Sequence, residues 1–186
     1  MKRLLSVCLI LCFVVSFSAC GAKMTPVEEA LIAVKSMDAE AFSVCMTSDS
    51  EMALSRIVGM VKADITEEER ATLQSLYGLI RYTMGEESEE MGGVKAVKVT
   101  VKLPDMARVR TLAEKKILVS AETANAVVSE MLASGEIEGN YMLEAVWEVK
   151  MTEEDGKWLI PYTDKANDAF VSGLYLSEML TFFAQH

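Results

Sequence analysis

Residues 25–38, TPVEEALIAVKSMD, carry apolar side chains every three to four positions, a spacing that predicts an amphipathic helix. Thr25 and Glu28 predict a capping box at its start, in which each residue's side chain accepts a hydrogen bond from the other's amide. Pro26 then takes the first helical position, where its missing N–H is no loss. The apolar stripe of this helix comprises Ala30, Leu31, Val34 and Met37.

Further helix starts follow in the first half of the chain. Asp38 is a typical N-cap before AEAFSVCM, and Thr66 with Glu69 repeats the capping box before an apolar stripe. Helical spacing also covers residues 50–63. The first half is therefore predicted to be mainly helical.

From about residue 79 the apolar residues follow a period of two, which is typical of half-buried strands. Residues 80–84 alternate in this way, and so do residues 97–103, VKVTVKL. Between them lies a polar segment that ends in the glycines 92–93. These features predict a first antiparallel hairpin.

A helical insertion follows this hairpin. Pro104 ends the strand, Asp105 is a typical N-cap, and residues 106–131 return to helical spacing. A break at 119–122, with Ser120 as the cap of a second helix, divides the insertion in two.

A second hairpin is the clearest strand pattern in the chain. Residues 141–151, YMLEAVWEVKM, alternate between apolar and charged positions, and residues 157–162, KWLIPY, return after a turn. Asp155 and Gly156 form the strongest turn signal. Asp164 is then expected to cap a final helix.

This order of elements predicts an α+β fold, with N-terminal helices packed on a curved antiparallel sheet, a helical insertion between two hairpins, and a C-terminal helix. The segments ALIAVKSMDAEAF, VKVTVKLPDM and WEVKMTEEDGKWLIPY resemble the cone-shaped domains of the nuclear transport factor two-like, or cystatin-like, superfamily. More narrowly, they resemble lipoproteins of Gram-positive anaerobes that carry this domain. The resemblance implies a cone-shaped fold and names no catalytic motif.

The N-terminal segment has the layout of a secretory signal. Lys2 and Arg3 precede an uncharged apolar run from Leu4 to Phe17, and small residues lead to Cys20. The run is shorter than the roughly 20 residues that a membrane-spanning helix needs, so a transmembrane anchor is the weaker interpretation.

The sequence Ser18-Ala19-Cys20-Gly21 resembles a bacterial lipoprotein signal. The resemblance implies that Cys20 becomes the first mature residue and carries a thioether-linked lipid and an acylated amine. It predicts a signal peptide over residues 1–19, a lipidated stem over 20–24, a single domain over 25–186, and a location on the extracytoplasmic face of the cell membrane.

The composition of the chain argues against several classes of function. The formal charge of −10 argues against nucleic-acid binding, which requires basic patches. After cleavage and lipidation Cys45 is the remaining cysteine, and its helical spacing from Phe42 favours burial. The single histidine is His186, the last residue of the sequence, so no histidine-based triad or multi-histidine metal site is expected inside the domain. We expect no metal and no cofactor.

A catalytic role is the weaker hypothesis. Some members of the superfamily are isomerases, dehydratases or cyclases that use a carboxylate with His or Tyr. The strand carboxylates Glu144 and Glu148 alternate with the apolar face and are expected to be surface charges. Tyr82 is the strand residue that could serve as a pocket acid, and its apolar neighbours favour a core position. The chain is therefore predicted to be no enzyme, with an isomerase or dehydratase as the alternative.

We therefore predict a non-catalytic ligand- or partner-binding module at the cell envelope, with a surface protein that dimerises through its open sheet face as a further alternative. Aromatic residues on or near the strands are the candidate lining of a ligand pocket, against the alternative of a filled core: Tyr82, Trp147, Trp158 and Tyr162. The expected partners are the membrane, through the lipid on Cys20, a small apolar ligand or an envelope protein, and a second copy of the chain.

Overall fold

The computed structural model describes residues 24–47, 65–161 and 165–186. Their architecture is α+β, with one four-stranded antiparallel sheet in the order β1-β2-β3-β4. The strands are β1 (Arg81–Glu87), β2 (Val94–Pro104), β3 (Met142–Glu154) and β4 (Lys157–Leu159). The helices are α1 (Pro26–Ser36), α2 (Ala39–Ser43), α3 (Glu67–Gly78), α4 (Met106–Ser120), α5 (Ala124–Ala133), α6 (Glu136–Asn140), α7 (Asp168–Gly173) and α8 (Leu176–Gln185).

The predicted helix starts in the first half are confirmed where the structure describes them. Thr25 caps α1 and Asp38 caps α2 through bonds from backbone amides, and Thr66 with Glu69 forms a complete capping box on α3. At α1 the predicted capping box is only half formed: Thr25 accepts from the Glu28 amide, but the Glu28 carboxylate accepts from the Tyr82 hydroxyl, at a long 3.5 Å, and not from the Thr25 amide. The helix predicted over residues 50–63 lies outside the described residues.

The two predicted hairpins are confirmed, and together they form the sheet. The returning strand of the second hairpin is shorter than the predicted 157–162, because β4 ends at Leu159 and Ile160 instead forms a parallel bridge to Met46. β2 and β3 pair over their whole common length, from Val94 opposite Thr152 to Pro104 opposite Met142. Asp155 and Gly156 both have positive φ, as a tight two-residue hairpin turn requires.

The two faces of the sheet differ in burial. On β2, Val99 and Val101 are fully buried, whereas Lys98 and Lys102 on either side of this pair are exposed. Helices therefore cover one face, here called the inner face, and the outer face is open. This is the alternation that the sequence pattern predicts for a half-buried sheet.

The helical insertion is divided in two where the sequence indicates, but the second helix has a different N-cap from the predicted one. α4 ends at a left-handed Ala121, and Thr123, not Ser120, accepts the bond from the first turn of α5. The Ser120 hydroxyl instead donates to the Lys116 carbonyl within α4. The prediction of Ser120 as the cap was therefore wrong, because a serine near a helix end can bond back into its own helix.

The C-terminal helical region consists of two helices, where the sequence pattern predicts one. α7 ends at Gly173, and Tyr175 at φ 52° begins α8 in a new direction. The Asp164 cap predicted for this region lies outside the described residues. The side chains predicted to be apolar and inward are all buried: Phe170, Leu174, Met179, Leu180 and Phe183.

Asn167 completes the edge of the sheet beyond the short strand β4. It is fully buried, accepts from the Lys150 amide at 2.8 Å, and donates to the carbonyls of Lys150 and Pro161. Its side-chain amide thus supplies β3 with the hydrogen bonds that a neighbouring strand would supply. Across the described ranges, no helix has the length and apolar character needed to span a bilayer.

Candidate functional site

A groove with a volume of about 430 Å³ lies where the start of α1 meets the β3–β4 end of the sheet. This volume falls within the range of small-molecule sites, roughly 300–1,000 Å³. A second cleft, between α2 and the α7–α8 region, has about 210 Å³ and falls below that range. The apolar part of the larger groove is formed by Met24, Pro26, Val44, Met151, Trp158 and Leu159.

Charged side chains from three elements also line the groove. They are Glu29 on α1, Glu87 at the end of β1, and Lys157 at the start of β4. An apolar wall with a few polar groups is the usual composition of a ligand site.

The register of the sheet explains why Trp158 lies in this wall. The tight turn at 155–156 places Trp158 opposite Glu153, two residues from the buried Met151 and on the same face. Lys95 lies opposite Met151 on the neighbouring strand. The end of the inner face therefore carries an aromatic ring and an ammonium group side by side.

Lys95 links the aromatic ring to a carboxylate. Its Nζ lies 4.6 Å from the centroid of the Trp158 ring and 3.8 Å from Glu87 Oε2. A cation over an aromatic face contributes about 0.5–1 kcal/mol at an exposed site. Lys95 thereby restricts the orientation of the indole ring in the groove wall.

Cys45 lines the groove as a buried thiol, as its spacing from Phe42 predicts. Its exposed fraction is 2%, and its Sγ donates to the Ala41 carbonyl at 3.3 Å. Burial, with a smaller effect from the charge of Glu29, raises the pKa of Cys45 to about 11. The thiol is therefore protonated near neutral pH and is a poor nucleophile.

The structure separates the aromatic residues that the sequence groups as a candidate pocket. Trp158 lines the groove, whereas Trp147 is 5% exposed and packs edge-to-face on Phe170 at 5.7 Å. Tyr82 is half-buried further along β1 and contributes nothing to this groove wall. Tyr162 and the predicted lipidation site Cys20 lie outside the described residues.

Tyr82 is a weak acid in its present surroundings. Burial, then the charge of Glu28 and the bond to it, raise the pKa of the Tyr82 hydroxyl. Lys35 lies 6.0 Å from its ring centroid. Glu144 and Glu148 are exposed on the outer face, as predicted for surface charges.

The sequence pattern does not single out Glu87, which lines the groove, or Lys95, which contacts Trp158 in the groove wall. Both could have been found by aligning the strands, since the register places Lys95 opposite Met151 and Glu87 opposite Val97. Met24 and Val44 carry no such signal, because they reach the groove only through the packing of α1 and α2 against the sheet.

No protein-family model and no curated protein matches the chain. Among solved structures it is similar to the crystal structure of a "putative lipoprotein (ycdA)" from Bacillus subtilis, at 15% sequence identity and a TM-score of 0.34. The likeness covers 74% of this chain and 44% of that protein, so the chain matches less than half of the protein's length.

Proposed function

We propose that this protein is a lipid-anchored extracytoplasmic protein whose domain is a non-catalytic binding module at the cell envelope. The anchor rests on the residues around Cys20, which combine a basic start, a short apolar run and a small-residue site before a cysteine. A lipidated cysteine with two or more chains holds a protein stably at a membrane, whereas one chain binds only marginally.

The fold assignment within this proposal is a cone-shaped domain of the cystatin-like type. The order of two hairpins with a helical insertion supports it, together with an antiparallel sheet covered by helices on one face. The cone shape itself is part of the proposal.

The observation that carries the binding role is the groove beside Trp158. Trp158 offers an aromatic surface, Met151 and Leu159 extend it, and Glu29 with Lys157 supplies charge at the edge. These groups suit a small, largely apolar ligand that has one polar end. A non-catalytic role is supported by Cys45, whose pKa of about 11 keeps it protonated. It is also supported by His186, whose ring lies beside Phe182 and is not part of the groove lining.

The test is native mass spectrometry of the protein extracted from its own membrane. We expect a copurifying small molecule on the wild type, and much less of it on Trp158→Ala. The matched control is Val146→Ala, which removes an exposed side chain from the outer face, 59% accessible, and should retain the ligand. Equal occupancy in wild type and Trp158→Ala, or no ligand on the wild type and no thermal shift with a library of apolar compounds, would refute the role of the groove.

A second candidate function is self-association through the outer face, and the charges of that face favour it. Lys98 and Lys102 lie on β2, directly opposite Glu148 and Glu144 on β3. A two-fold axis parallel to the strands, between β2 and β3, would place the basic stripe of one copy on the acidic stripe of the other. The face is therefore complementary to itself, as an isologous dimer requires.

Charge reversal tests this second candidate. Lys98→Glu and Glu148→Lys should each weaken a dimer measured by analytical ultracentrifugation, because each places like charges across the interface. A mixture of the two variants should recover the dimer, since every opposed pair then has opposite charge. A wild-type protein that is monomeric at all accessible concentrations contradicts the proposal.

A further inference from the structure

Large apolar side chains are exposed beside the groove, one at the start of the described chain and one at the end of α2. Val44 is 69% exposed and Met24 is 48% exposed, and both line the groove together with Lys157 and Trp158. We call these four residues the groove mouth. Clustered exposed apolar side chains are costly in water, so their presence at a site indicates a contact.

The proposed lipid attachment lies very close to this mouth in the chain. Only three residues separate Met24 from Cys20. A fully extended chain spans at most about 3.6 Å per residue, so Met24 lies within roughly 14 Å of the lipidated residue. The anchor therefore holds Met24, and with it the groove mouth, close to the bilayer.

We propose that the groove mouth rests on the membrane, with Val44 and Met24 in the lipid interface, so that the groove opens onto lipid. This inference rests on the lipid anchoring proposed above and adds the orientation of the domain. Apolar side chains gain from leaving water at the interface, and Lys157 can place its stem along the membrane with its ammonium among the headgroup phosphates.

Charge does not drive this contact. The chain has a formal charge of −10, and Glu29 and Glu87 lie in the groove itself. An acidic protein is repelled by anionic lipid, so the anchor and the apolar side chains must provide the attraction. The contact should therefore form on purely zwitterionic vesicles and should not require anionic lipid.

Spin labels on the full lipidated protein test the orientation. The reporters are Val44→Cys and Lys157→Cys, two positions of the groove mouth, so that the failure of one variant to fold leaves the other. The controls are Val146→Cys and Lys102→Cys, exposed positions of the outer face. Lys102 lies seven positions along β2 from Lys95, about 23 Å away. The wild type is the labelling control, because Cys45 is buried.

Each labelled protein is reconstituted in phosphatidylcholine vesicles, and relaxation by oxygen is compared with relaxation by a water-soluble nickel chelate. We expect oxygen to relax the groove-mouth labels more strongly than the nickel chelate does, as for labels at a membrane. The control labels should be relaxed more strongly by the nickel chelate. The protein must float with the vesicles and have the mass expected for lipid attached to Cys20. If all four labels of such a protein are relaxed more strongly by the nickel chelate than by oxygen, the orientation is overturned and the anchor stands. A chain without lipid that does not float overturns the anchor and the orientation together.

Discussion

Gly173 allows α7 to lie against the indole ring of Trp147, and its replacement by alanine tests how tightly this part of the core is packed. A Cβ at Gly173 would lie 2.5 Å from Trp147 Cζ2 and 3.0 Å from Cε2. The ring is 5% exposed and is held edge-to-face by Phe170, so it has little room to move away. Gly173→Ala therefore forces the helix and the sheet apart.

The size of the effect follows from two opposing contributions. Overpacking a core costs about 1–3 kcal/mol, and the approach to the ring at Gly173 is close enough to apply the upper part of this range, about 2–3 kcal/mol. Alanine favours a helix over glycine by about 1 kcal/mol, which offsets part of that cost. We expect Gly173→Ala to lower the free energy of unfolding by about 1–2 kcal/mol. For a chain of this size that corresponds to a fall in Tm of roughly 2–8 °C.

Gly78→Ala is the matched control. Gly78 is also the last residue of its helix, α3, and apart from its chain neighbours and the backbone of that helix no atom lies within 4 Å of the position that its Cβ would occupy. This variant should be unchanged or more stable by about 0.5–1 kcal/mol, because it gains helix propensity without a clash.

Urea denaturation followed by tryptophan fluorescence measures both variants, with Trp147 as a reporter at the site of the change. If Gly173→Ala is as stable as wild type, or if the two glycine variants respond alike, the packing argument at Trp147 fails.

Two further predictions concern stability. Asn167→Asp places a carboxylate oxygen against the carbonyls of Lys150 and Pro161, so it should lower the free energy of unfolding by at least about 1–3 kcal/mol near neutral pH. The loss should be smaller in acid, where the protonated side chain can again donate a hydrogen bond. Urea titrations at the two pH values measure this, with Asn140→Asp at an exposed position as the control, and a loss that does not depend on pH would contradict it. The pKa of Cys45 is raised from 9.0 to about 11, so the unfolded chain loses its thiol proton first and the free energy of unfolding should fall as the pH rises from about 9 to about 11. Cys45→Ala should make the fall of the unfolding free energy with pH shallower. Part of the fall should remain, because burial also raises the pKa of the Tyr77 hydroxyl. An unchanged dependence on pH would show that Cys45 does not titrate as described.

Local chemistry made much of the fold predictable. The caps at Thr25, Asp38 and Thr66 depend on side chains that bond to amides three residues away, and such signals are contained in a short stretch of sequence. The Asp155–Gly156 turn is local in the same way, because two residues with positive φ suffice to reverse the chain. The role of Ser120 and the helix break at Gly173 were harder to predict. Ser120 can bond either to the next helix or back into its own, and Gly173 is fixed by its close contact with Trp147.

The candidate site depended much more on tertiary structure. Four aromatic residues near the strands have similar sequence surroundings, and the pattern treats Trp147 and Trp158 alike. Packing separates them: Phe170 and α7 cover Trp147, whereas the strand of Trp158 ends beyond these helices and leaves its ring beside the groove. Coverage by elements distant in the chain is not encoded in the period of a strand.

The sequence by itself determined most of the described helices and strands, the antiparallel hairpins, the burial of Cys45 and the expectation of a lipid anchor at Cys20, because these depend on neighbouring residues or on a periodic pattern. It did not determine the division of the C-terminal region into α7 and α8. Tertiary structure alone decided which aromatic residue faces a groove, and it brought Met24 and Val44 to that same place. The physical reason is distance along the chain: a hydrogen-bonded cap is formed within one turn, whereas a groove is formed where separate elements meet.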